Sequence, residues 1–116
     1  MNYQKRLDRT FTALVDPTRR AILAQLERKE SATVSELAQP FAILLPAVMK
    51  HLDVLADAGL ITRTKSGRTV TVRLRFQPMR EAMAWLGRYE RFWSGGLDKL
   101  AAHAERQEAE ARSKDR

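Results

Sequence analysis

Apolar residues recur along this chain with two different periods, and the change of period divides it. Between residues 3 and 15, Leu7, Phe11 and Leu14 fall at i, i+4 and i+7, which is one face of a helix. Asp16-Pro17 punctuates that pattern: Asp is a good N-cap, and Pro fits a first helical position where no N–H is required. A second helix is predicted from Pro17 to about Arg28, burying Ile22, Leu23 and Leu26. Thr33-Val34-Ser35-Glu36 has the spacing of a capping box and opens a short third helix over 34–39, closed by Pro40. Pro46 starts a fourth helix over 46–58, with Val48, Leu52 and Leu55 as its buried stripe. Gly59 follows as a residue suited to a left-handed C-cap. The period then becomes two. Leu60, Thr62 and Thr64 alternate weakly, and Val70, Val72, Leu74 and Phe76 alternate strongly with Thr71, Arg73 and Arg75. Lys65-Ser66-Gly67-Arg68 is the turn between two strands. Pro78 opens a long final helix predicted over about 79–110, with Met83, Leu86, Trp93, Leu97, Leu100 and Ala104 along one side. From Gln107 onward the chain is nearly all charged residues and Ala, and it is expected to fray. The fold class is mainly α with a small β-hairpin, one domain over 1–106 and a charged tail over 107–116.

Composition narrows the function. At 116 residues the chain has room for one compact core and not for a two-lobed enzyme. Cysteine is absent, which excludes disulfides, thiolate metal sites and Cys nucleophiles. No apolar run approaches the roughly 18–20 residues of a membrane span, and the start at Met1 leads into no apolar leader segment. A cytoplasmic location without a membrane partner is expected. The net charge is +7. Residues 1–76 carry 13 Lys and Arg against 7 Asp and Glu, whereas 77–116 carry 8 against 7. Within 58–76 stand Arg63, Lys65, Arg68, Arg73 and Arg75 with no acid among them. Charge that served only solubility would be spread along the chain, so this cluster points to a polyanion.

The element order gives the cluster a meaning. A short capped helix followed by helix 46–58 is a helix-turn-helix, and a basic hairpin directly after it is a wing. The major groove of duplex DNA, roughly 12 Å wide, admits one helix. Base reading comes from the first turns of such a helix, so Ala47, Lys50 and His51 are the candidate base-contacting residues. Arg63, Lys65 and Arg68 of the hairpin are the candidate phosphate contacts. The terminal helices, 3–15 and 79–106, are expected to bury their apolar faces against a two-fold mate, through Leu7, Phe11, Trp93, Leu97 and Leu100. Gly95-Gly96 would permit close approach of a neighbouring helix there. The bland reading, a core helix with a solvated face, leaves the acid-free hairpin unexplained.

Three segments carry a resemblance. Phe11-Thr12-Ala13-Leu14-Val15-Asp16-Pro17-Thr18-Arg19-Arg20-Ala21-Ile22-Leu23 resembles the opening signature of the ArsR/SmtB winged helix-turn-helix repressors. Leu45 to Leu55, continuing through Ala58-Gly59-Leu60-Ile61, is similar to that family's recognition helix and its exit into the wing. Arg91-Phe92-Trp93 with Leu97-Asp98-Lys99-Leu100 is similar to the last helix of a subgroup that lacks metal-sensing cysteines. The resemblance spans about residues 7–105. It implies a homodimeric repressor, a double-stranded operator, and control of the chain's own promoter. Two positions depart from the family. Val34-Ser35-Glu36-Leu37-Ala38 stands where metal sensors carry cysteines, and Leu44 stands where the subgroup commonly has Ser. Leu44 cannot cap the recognition helix, at a cost of about 1 kcal/mol.

Other chemistry is weakly represented. The last helix holds Asp98, His103, Glu105 and Glu108, a single His where a zinc site needs a second. No cofactor and no metal is expected. No catalytic constellation stands out, so an enzyme is not expected. Trp85, Tyr89, Phe92 and Trp93 read as packing, and they are where a small-molecule effector would be sought. Two alternative functions stand beside the repressor: a protein-interaction module on the same scaffold, and a metal-responsive repressor working through the final helix.

Overall fold

The computed structural model describes residues 2–114, without the side chains of 93, 94, 96–98 and 114. The elements run α1 (Tyr3–Val15), α2 (Pro17–Arg28), β1 (Ser31–Thr33), α3 (Val34–Ala38), α4 (Leu45–Asp57), β2 (Ile61–Ser66), β3 (Thr69–Leu74), α5 (Gln77–Gly87) and α6 (Glu90–Lys114). They fall into two compact units, one up to residue 83 and the other from residue 84.

In the first unit α1, α2 and α3 each start where a capping residue dictates. Asn2 accepts from the Lys5 N–H at 2.9 Å, and Asp16 accepts from the Arg19 N–H at 3.0 Å. The capping box closes both ways: Thr33 Oγ1 accepts from the Glu36 N–H at 3.2 Å, and Glu36 accepts from the Thr33 N–H at 3.1 Å. Gly59 ends α4 at φ +73°, a left-handed conformation that only glycine adopts without strain. The core joins Ile22, Leu23 and Leu26 of α2, Leu37 of α3, Val48, Leu52 and Leu55 of α4, and Ile61 and Val72 of the sheet. On α1 the fully buried positions are Leu7, Thr10 and Ala13, while Phe11 and Leu14 are half-buried. Thr10 satisfies its hydroxyl by donating to the Arg6 carbonyl at 3.0 Å.

The expected hairpin is part of a three-stranded antiparallel sheet ordered β1-β3-β2. Ser31, Ala32 and Thr33 pair with Arg73, Val72 and Thr71. Ser66 pairs with Thr69, so the loop is Gly67-Arg68, with Gly67 at φ +61° in the first central position. That is the residue a two-residue II′ turn requires.

The long final helix predicted over 79–110 is instead two helices. Arg88 N–H donates to the Trp85 carbonyl at 3.2 Å, Tyr89 N–H to Leu86 at 3.0 Å, and Phe92 N–H to Tyr89 at 2.9 Å. These i→i−3 bonds tighten the chain into a turn, after which Glu90 opens α6 with an acid in its first turn. The break falls between Leu86 and Trp93, the widest gap in the apolar stripe. The tail expected to fray from Gln107 is helical to Lys114. It is built mostly of Ala, Glu, Gln, Arg and Lys, strong helix formers, and it spaces Glu108 four residues before Arg112. Among the described residues no helix is long and apolar enough to cross a membrane.

Candidate nucleic-acid interface

Helix α4 presents its outward face beside the sheet. Val48, Leu52 and Leu55 are fully buried, which turns Lys50 and Asp53 to solvent and leaves Ala47 and His51 on the flank. The helix begins without a side-chain cap, since Leu44 occupies the N-cap at φ −70° and ψ 150°. Its first turn closes on backbone alone: the Ala47 and Val48 N–H groups both donate to the Leu44 carbonyl, at 3.0 and 3.2 Å.

Register decides which way the basic residues of the hairpin point. Directly opposed residues share a face of the sheet. Arg63 opposes the buried Val72 and Lys65 opposes Val70, so both project from the face that packs on the helices. Arg63 reaches α4 and donates to Asp53 at 2.6 Å, which neutralises an acid on the outward face of the helix. Lys65 and Arg68 are exposed towards the tip. Arg68, Thr69 and Val70 line a groove of about 320 Å³ together with Leu45 and Met49 of α4. The first turns of α4 and the tip of the hairpin therefore share one surface.

His51 is turned towards the α1–α2 junction. Its Nδ1 lies 3.3 Å from an Arg19 Nη1 and 3.9 Å from an Asp16 carboxylate oxygen. A guanidinium only donates, so it is the neutral imidazole, with Nδ1 as acceptor, that bonds to Arg19. The Asp16 carboxyl is held below its ordinary range, chiefly by the Arg19 N–H. Partial burial opposes this, and the charge of His51 when it is protonated and that of Arg19 add to it. Glu36 is lowered in the same sense by the Thr33 N–H and hydroxyl, with Lys29 beside it.

Sequence reasoning placed Lys50, Lys65 and Arg68 on the exposed surface, and the structure finds them there. It missed what Arg19 and Arg20 do. Arg19 donates to the Thr12 and Ala13 carbonyls at 3.0 and 2.8 Å, and Arg20 donates to those of Leu14 and Val15 at 2.7 and 2.9 Å. The two side chains satisfy the last carbonyls of α1. The Asp-Pro-Thr-Arg-Arg run was the available signal, with two cations just past a helix end. Of the expected dimer residues, Leu7 is buried by its own chain at 3% exposure and has no surface left to offer a second copy. Phe11 is half-buried and Leu100 is exposed, while Trp93 and Leu97 lie outside the described side chains. Among the described residues no group of three or more His, Asp and Glu could hold a metal ion.

Comparison with known proteins agrees with this geometry. Residues 14–64 match the family described as helix-turn-helix domain. The chain is 34% identical over 86 residues to the HTH-type transcriptional regulator YuzN of Bacillus subtilis, covering 68% of this chain and 94% of the relative. It is 29% identical over 80 residues to the transcriptional repressor SdpR of the same organism, covering 69% of this chain and 88% of that protein. The crystal structure of the ArsR family transcriptional regulator RHA00566 superposes with a TM-score of 0.75 at 44% identity, covering 80% of this chain and 95% of that one.

Proposed function

The chain belongs to the ArsR family of helix-turn-helix transcriptional regulators, and from that premise we propose that it acts as a homodimeric repressor with one α4 in the major groove of each operator half-site. It is a DNA-binding regulator and not an enzyme. In the proposed complex Lys50 and Ala47 meet base edges near the start of α4, while Lys65 and Arg68 hold phosphates beside the groove. His51 and Arg63 orient the helix and the wing from its two sides. The second copy is recruited through the terminal helices, where Phe92 and Leu100 of α6 are 68% and 65% exposed. The protein works in the cytoplasm, where its operator lies.

The observation that carries this reading is the shared surface of α4 and the hairpin tip, with Leu45, Met49 and Arg68 on one groove and Lys50 exposed next to it. A helix of groove-fitting width flanked by basic side chains has the shape and charge that duplex DNA requires. Selection of bound sequences from a random duplex pool tests it. The expected outcome is an inverted repeat whose half-sites lie about 10–10.5 base pairs apart, or a multiple of that. DNA from the chain's own promoter, used as competitor, tests autoregulation. A pool that shows no enrichment refutes the proposal.

A further inference from the structure

The leading end of α4 is apolar and open to solvent. Ile43, Leu44 and Leu45 are 41%, 79% and 52% exposed, although the same helix already supplies Val48, Leu52 and Leu55 to the core at 0%. Leu44 makes no cap and fills no cavity. Three consecutive exposed apolar residues are a defect in a folded domain unless something binds them. Their setting says what does. Leu45 lines the groove it shares with Met49 and Arg68, Leu44 immediately precedes it, and Lys50, which follows Met49 in the chain, and Lys65, which pairs with the groove residue Val70, are exposed. Ile43 lies in a second groove that Leu45 also lines, beside Phe41 and the acid Glu36, so the side suited to a polyanion is the one shared with Met49 and Arg68. The occupant must be anionic at its rim and carry small apolar groups at its floor. The major groove of DNA offers one such group, the 5-methyl of thymine.

On the DNA-binding reading of α4, we infer that Leu44 and Leu45 are specificity-determining residues that select thymine in each half-site by packing on its methyl group. A Ser at position 44 would offer a hydroxyl to the same edge and favour no methyl. The two leucines therefore bias the operator towards thymine at the positions under the start of α4, next to the position read by Lys50.

The test uses a duplex recovered from the random pool, resynthesised with deoxyuridine for one thymidine at a time. Deoxyuridine keeps every hydrogen bond and lacks only the methyl. The wild-type protein is expected to bind about four-fold more weakly for each half-site methyl lost at one or two positions, the equivalent of one buried CH₂-sized group. Leu44→Ser and Leu45→Ser should each bind thymidine and deoxyuridine alike at one of those positions. Equal binding of both nucleotides by wild type at every position overturns the inference. So does a preference that survives in both variants. A change of sedimentation in Leu44→Ser with the thymidine preference intact would assign the apolar end to a contact between copies and likewise overturn it. Should the pool return no sequence at all, the DNA-binding reading itself fails, which is a different result from an indifferent methyl.

Discussion

Leu44→Ser should make the protein more stable. The N-cap of α4 has extended dihedrals, φ −70° and ψ 150°, the conformation from which a Ser side chain reaches back to the first turn. The N–H groups open to such a cap are those two and three residues on. Position 46 is Pro, so Ala47 is the single donor within reach. Its N–H now shares the Leu44 carbonyl with that of Val48, at 3.0 and 3.2 Å. A Ser hydroxyl would relieve that carbonyl rather than rescue an orphan. The gain therefore lies in the lower half of the usual capping range, about 0.5–1 kcal/mol. For a chain of 116 residues, this corresponds to a rise of about 2–5 °C in the thermal midpoint. The leucine side chain is 79% exposed, so its removal leaves no cavity. Far-ultraviolet circular dichroism melts at one fixed protein concentration measure the shift, since the midpoint of a dimer depends on concentration. Leu44→Ala is the control, because it removes the same exposed surface without adding an acceptor. A Ser variant no more stable than the Ala variant refutes the capping argument.

Replacing Arg68 by Ala should lower the slope of log affinity against log salt by about 2 per dimer, at roughly 0.9 for each phosphate contact, and weaken all sequences alike. An unchanged slope with an altered base preference would show that the tip reads bases. Lys50→Ala should lose about 1–3 kcal/mol of discrimination at one base pair per half-site, the value of a guanine-edge contact. Equal losses on selected and random duplexes would reduce Lys50 to a phosphate contact. Asp16 has a folded-state pKa below its unfolded value, so the stability it contributes is complete above about pH 4 and is lost as pH falls through the folded value. Asp16→Asn keeps a capping acceptor that does not titrate. Its midpoint should therefore fall less steeply than wild type as pH is lowered through and below the ordinary carboxylate range, and parallel curves would show that Asp16 carries no such dependence.

The elements that sequence made legible are those whose cause is local. The capping box at Thr33 and Glu36, the Asp16-Pro17 start and the glycines at 59 and 67 are each decided within four residues, and all are present. Strand β1 is not local. Three residues, Ser31–Thr33, cannot display a period, and they are extended because β3 offers them a partner. The break at 88–89 was hidden because the apolar stripe regains helical phase beyond it. On α1 the large side chains Phe11 and Leu14 drew attention, but Thr10 and Ala13 are the ones fully buried, at 1% and 0%. Small residues let α1 lie close against α2 and α4, a requirement of packing that apolar periodicity does not register. At the interface, charge and exposure were readable for Lys50, Lys65 and Arg68. The partners of His51 and Arg63 were not, because each is met by a residue distant in the chain.

Those partners divide the candidate residues by duty. Helix α4 is held on one side by the core, through Val48, Leu52 and Leu55. A second restraint is Arg63, which joins it to β2 through Asp53. The third is Arg19, whose guanidinium contacts His51 Nδ1 while donating to the carbonyls at the end of α1. Three restraints around one helix fix its rotation about its own axis, and rotation decides which side chains a groove can meet. A turn of one residue position, roughly 100°, would replace Lys50 by Met49 or His51 at the centre of the outward face. On the proposed DNA-binding reading, His51 and Arg63 act by holding the helix in phase, and the exposed Lys50 and the two leucines at its start are the side chains left to meet bases. The Asp-Pro-Thr-Arg-Arg segment belongs to the same device. It caps the end of α1 and the start of α2, and through Arg19 it transmits the position of that junction to the recognition helix.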